Sequence, residues 1–290
     1  MLREIPSSQG QDKLPLIVWI LAQASHGDLC GGLYSWAHVL LPLVGSYKSC
    51  SRQSMGLILQ FVEIILSNPD ARTILVNGAV REGESLIPPC SFEILVRLTF
   101  PAPAARVKST KRFEAVYPLL KEVALAPGGN AVGHIFTFSL KLAGEEGNPG
   151  LAKEAAAIAI RCVTENVDCF KEWDILYKEN LEASVALLRK LGDEWKDHSP
   201  ELLSSSPYHA LTVNRTLNSF RLKNETSITG GGAHCSLYKE ADKSCKLISR
   251  RLSRGSGGLN MPHIALLFLT AAAGAALALL FPLVWVSFFL

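Results

Sequence analysis

The stretch FKEWDILYKENLEASVALLRKLGDEWKDH, residues 170–198, decides the fold class. Tyr177, Leu181, Val185, Leu188, Leu191 and Trp195 follow one another at steps of three or four residues, so a helix gathers them into a single apolar stripe. Asp174 with Lys178, and Lys178 with Glu182, stand four apart and support the outer face of the same helix. The spacing predicts one helix through the stretch, with the stripe turned into a core. A seam for a partner helix, on Tyr177, Leu181, Leu188, Leu191 and Trp195, is the second reading, and a run this short favours core over coiled coil.

Outward from this helix the cadence continues. From Leu14 to His198 apolar residues recur at helical spacing between short turn signals: SHGDLCGG, GSYKSCS, SNPD, IPPCS, FPAP, APGGN, EEGNPG and NVDC. Asn68-Pro69 and Asn148-Pro149 each offer a capping side chain followed by a proline suited to a first helical turn. SFEILVRLTF (91–100) is the one plausible strand, and its helical neighbours make helix the better reading. The expected fold is all-α: an irregular array of helical hairpins, of α-solenoid or HEAT-like type, over residues 1–198. Ser, Thr, Asn, Gly and Pro dominate after His198, which predicts a flexible basic linker over 199–258 with a short helix near 236–252.

Residues 259–290 read as a C-terminal transmembrane anchor. The 27 residues from Ile264 to Leu290 carry no charge, and about 20 apolar residues suffice to cross the bilayer. Ala271, Gly274, Ala275 and Ala278 supply small residues at helical spacing, a face for close helix contact. Just before the run lie Lys239, Lys243, Lys246, Arg250, Arg251 and Arg254 against Glu240 and Asp242 alone. Basic flanks stay cytosolic, so the preceding body is expected on the cytosolic side. The flank also offers itself to anionic head groups, although a topology signal is the plainer reading.

The whole chain carries a net charge of +3, and this flank accounts for it, so residues 1–238 are nearly neutral. That argues against nucleic acid as a main ligand. Seven widely spread cysteines without a CxxC pair read as reduced, mostly buried thiols, not as metal ligands. LPLIVWILAQAS (14–25) has the outline of a signal peptide, but its leading residues are charge-balanced and Pro15 suits an ordinary helix start. A luminal body would make Asn214 and Asn224, both in acceptor sequons, sites for glycans.

Catalytic patterns are weak. APGGNAVGH lacks the Lys-Ser/Thr of a phosphate loop, and RGSGG around Ser256 has no G-x-S-x-G frame. His234 beside Cys235, His26 near Asp28, His38 after Trp36, and Glu82 with Glu84 each have a plainer reading as turn, core or solvated groups. No catalytic residue, cofactor, metal or small-molecule substrate is expected.

The phrases SHGDLCGGLYSWAHVLLPLV (25–44), ILQFVEIILSNPDARTILVNGAVREGESLIPPCSFEILVRLTFP (58–101), ARVKSTKRFEAVYPLLKEVALAPG (105–128) and LAKEAAAIAIRCVTENVDCFKEWDILYKENLEASVALLRKL (151–191) closely resemble the C-terminal portion of plant members of the transmembrane protein 214 family. The resemblance implies an endoplasmic-reticulum membrane protein with a large cytosolic helical region and no enzymatic motif. It also implies a link to cell death under reticulum stress through recruitment of a procaspase. These members are longer, and the resemblance places the first residues here inside their helical region. The function expected is a non-enzymatic, membrane-anchored scaffold that recruits cytosolic proteins, with a trafficking adaptor between reticulum and Golgi as the alternative.

Overall fold

The computed structural model describes residues 13–46, 52–81, 83–128, 131–204, 207–231 and 234–255. Within them the chain is a succession of helices around one contiguous apolar core. The first group comprises α1 (Leu14–Ala24), α2 (Leu29–Ser35), a π-helical turn at Trp36–Leu40, α3 (Leu41–Ser46), α4 (Arg52–Leu66) and α5 (Ala71–Asn77). Asp28 accepts a 2.9 Å hydrogen bond from the Gly31 amide and so starts α2, after a turn in which Gly27 takes φ +82°. The Trp36 indole donates to the Ile58 carbonyl at 3.0 Å, tying the π turn to α4.

A two-residue antiparallel ladder, Val80–Arg81 with Glu84–Ser85, separates this group from α6 (Pro89–Thr99). The helix expected over SFEILVRLTF is therefore present. Ser91 reaches back from α6 to the Ala37 carbonyl at 2.6 Å. Next come α7 (Lys108–Ala124), packed on α6, then α8 (Val132–Ala143) and α9 (Pro149–Glu165), packed on each other. Asn148 starts α9 as expected: its side chain accepts from the Leu151 amide and donates to the Phe100 carbonyl. Asn68 behaves differently. It closes a turn on the Asp70 amide, so helix α5 begins after Pro69 and not with it.

The deciding stretch breaks into three helices. Helix α10 (Cys169–Leu176) ends in a turn at 177–180, and α11 (Leu181–Asp193) follows, with α12 (Trp195–Ser204) behind it. The single helix predicted there is corrected, but the stripe stays buried on both sides of the turn.

The larger correction concerns the linker. Residues expected to be flexible form α13 (Pro207–Thr229), and the short helix expected near 236–252 is present and longer as α14 (Cys235–Gly255); the two pack on each other. Helix α13 also lies on α10 and α14 on α11, with α12 against both. Val213, Leu217 and Phe220 on α13, and Ala241, Cys245, Ile248 and Leu252 on α14, are all buried. Polar composition concealed this because buried polar atoms of α13 find partners in α10 and the turn after it: Thr216 donates to the Phe170 carbonyl and Asn224 Oδ1 accepts from Tyr177. The core therefore runs through residue 252, past the expected boundary at 198.

Candidate interaction surfaces

The proposed partner stripe is internal. Tyr177, Leu181, Val185, Leu188, Leu191 and Trp195 are all buried, covered by other helices of the same chain. Tyr177 stacks on Phe220 of α13 with ring centroids 4.1 Å apart, and the Trp173 indole donates to Ser184 at 3.0 Å across the α10–α11 turn. The second reading of the stripe, as a seam for another protein, is thus corrected by the last two helices.

The residues with conceivable chemistry stay apart. Asp28 is occupied as a helix cap. His38 stacks on Tyr34 at 3.8 Å, and its buried Nε2 has no hydrogen-bond partner among the described residues. Glu84 lies in the two-residue ladder opposite Arg81. His234 lines a shallow depression with Lys141, Lys178, Glu182 and Tyr238, and Cys235 begins α14. Glu82 and Ser256 lie outside the described residues. Among the described residues no group of His, Cys, Asp and Glu is arranged to hold a metal ion.

Three of the six described thiols are sheltered. Cys162, Cys169 and Cys245 are buried, and none of the six described cysteines is disulfide-bonded. Burial pushes the Cys169 and Cys245 thiols up to about 12, and raises Cys162 well above its ordinary value. Such groups stay protonated at neutral pH and make poor nucleophiles.

Among the described residues two helical faces stand out. The first is the outward side of α1. Leu16, Trp19 and Ile20 are 57%, 60% and 50% exposed, on a helix without a charged residue. Leu14 is buried, and Ile17, Val18, Leu21 and Ala22 pack against the core, so the helix is seated with its other side open. Its neighbour α4 exposes Ile64 as well. Sequence reasoning saw this segment only as a helix start or a signal peptide. The clue was the lack of any charge over 14–24, which leaves both sides of the helix apolar.

The second face belongs to α14. Lys239, Lys243, Lys246, Arg250 and Arg254 are exposed and recur at three- and four-residue steps along about 22 Å of helix. Glu240 and Asp242 face the body, where they pair with Arg189 of α11 and Arg221 of α13. Asp242 also takes Lys246 at 2.6 Å. Arg251 turns inward and donates to the Gly192 carbonyl in the last turn of α11, a place where helices leave carbonyls without internal partners. The six flank residues thus divide into five outward cations and one internal cap.

No described helix is long and apolar enough to cross a membrane. The proposed anchor, with Ala271, Gly274, Ala275 and Ala278, lies outside the described residues. Of the two sequon asparagines, Asn224 is fully buried and bonded to Tyr177, so the folded chain does not present it for glycosylation.

Comparison with known proteins supplies what side-chain geometry does not. Residues 7–279 match a family model described as "TMEM214, C-terminal, caspase 4 activator". Transmembrane protein 214 of Homo sapiens is 24% identical over 255 residues, covering 87% of this chain and 34% of the relative. Transmembrane protein 214-A of Xenopus laevis is 23% identical over 243 residues, covering 83% and 32%. The protein of the same name from Mus musculus is 24% identical over 237 residues, covering 81% and 32%. The chain spans about a third of the length of these relatives. No solved structure matches. Since the family model covers nearly the whole chain, this protein belongs to the transmembrane protein 214 family.

Proposed function

We propose that this chain is a non-enzymatic, membrane-anchored helical scaffold of the endoplasmic reticulum that holds cytosolic proteins at the membrane during stress or cell-death signalling. The observation that carries the reading is the family match over residues 7–279, whose description names activation of caspase 4. The uncharged run 264–290 serves as the anchor, and the irregular array of helices ahead of it serves as the platform. The outward face of α1 receives the partner. An exposed tryptophan flanked by aliphatic side chains is the kind of group that dominates a protein interface, because large apolar surface is removed from water at little entropic cost. Binding by this third of the relatives' length is itself part of the proposal.

The test is capture of an active-site-disabled procaspase 4 by the full chain held in lipid nanodiscs. The account expects retention, reduced about tenfold or more by Trp19→Glu and unchanged by Lys153→Glu, which alters an exposed residue of α9. No retention, or retention indifferent to Trp19→Glu, overturns the partner reading. Co-purification with vesicle-coat components in its place would assign the chain to trafficking.

A further inference from the structure

We infer that α14 lies along the membrane surface with its basic face on anionic phospholipid head groups, so that the bilayer fixes the orientation of the whole helical body. This rests on the anchoring reading above and adds a second, electrostatic contact to it. Three features of the helix carry it.

The outward face is of one sign. Lys239, Lys243, Arg250 and Arg254 enter no ion pair with another described residue, while Glu240 and Asp242 are turned to Arg189 and Arg221. A merely solvated helix has no need to sort its charges this way. The face is also held in place: Ala241, Cys245, Ile248 and Leu252 are buried on the opposite side and Arg251 is bound to the end of α11. The helix cannot roll its apolar side into lipid, so contact is through charge, unlike a free interfacial helix that inserts. Finally, eight residues separate Gly255 from the uncharged run beginning at Ile264. Eight residues reach at most about 28 Å. With the run embedded, α14 therefore stays close to the head groups, where each Lys or Arg strengthens association about fivefold. The body before Lys239 is nearly neutral overall, so the chain's excess positive charge lies in the α14 segment.

The experiment is lysine acetylation footprinting, read by mass spectrometry, on the full chain in nanodiscs of phosphatidylcholine alone or with phosphatidylserine. In discs with phosphatidylserine, acetylation of Lys239 and Lys243 should fall about threefold or more, while the exposed Lys111 and Lys153 stay unchanged. Raising salt from about 0.1 M to about 1 M should abolish the difference, because the screening length shrinks to a few ångströms. The combined variant Lys239→Glu, Lys243→Glu and Arg250→Glu, altered only at exposed positions, should remove the protection of Lys246. Equal labelling in the two discs, or protection that persists in high salt, overturns the inference. So does protection by added RNA and not by phosphatidylserine. A chain that enters neither disc overturns the anchoring reading, and the same footprint with vesicles of the two compositions then decides the α14 contact separately.

Discussion

Tyr177 and Asn224 show how much a single buried pair can hold together. The phenol sits in the turn between α10 and α11 and donates to Asn224 Oδ1 on α13 at 2.7 Å, with both residues fully buried. Burial, more than any charge nearby, pushes the phenol well above its ordinary value, so it remains a neutral donor throughout the physiological range. Tyr177→Phe should cost about 1–3 kcal/mol, because it leaves a buried acceptor without a donor. Adding Asn224→Leu should recover part of that loss; thermal unfolding of the full chain in mild detergent, followed by circular dichroism, checks both. A second pair responds to pH. The Arg112 guanidinium holds the Glu63 carboxylate below its ordinary value of 4.5. A lowered folded value means that the pair stabilises the chain above the ordinary value and ceases to do so as pH falls through the lowered one. Arg112→Met should therefore cost under about 1 kcal/mol at neutral pH, the pair being more than a third exposed. The gap to the unaltered chain should close in acid.

At the scale of elements, residues with helical period were legible and the places where polar groups are buried were not. The break between α10 and α11 was hidden because the turn keeps Tyr177 and Leu181 on the buried side, so the apolar spacing runs on as if the helix did. Helix α13 was hidden for the opposite reason. Its stripe of Val213, Leu217 and Phe220 ends on Asn224, and Tyr177 donates to the Oδ1 of that side chain from the turn after α10, in a way no local pattern shows. Helix α14 was legible in part, since its basic cluster marked it, but its exposed and buried sides needed the packing. Two changes separate core from surface here. Leu188→Ala should destabilise the fold by about 2–5 kcal/mol, the usual cost of a cavity at a fully buried leucine. Trp19→Glu should leave stability within about 0.5 kcal/mol, since the side chain is largely exposed. Thiol labelling of the folded chain follows the same division: Cys90, exposed, should react first, and Cys162 and Cys245 only on unfolding.

For the molecule as a whole, a nearly neutral helical body, a basic last helix and an uncharged run follow one another along the chain. The family is one of transmembrane proteins, and its kinship was readable from long phrases of the sequence; which helices cover which was not. The stripe at 177–195 is buried, whereas the outward faces of α1 and α14, where the partner and lipid contacts are proposed, are exposed. Deleting residues 259–290 should shift the chain from the membrane pellet to the soluble fraction, because the charges of α14 alone give a contact that salt reverses. Whether the helical body faces the cytosol is read by protease protection on sealed microsomes carrying the full chain with an N-terminal tag. With a cytosolic body, protease should destroy tag and body without detergent; survival of both until detergent is added would place the body in the lumen and overturn that topology.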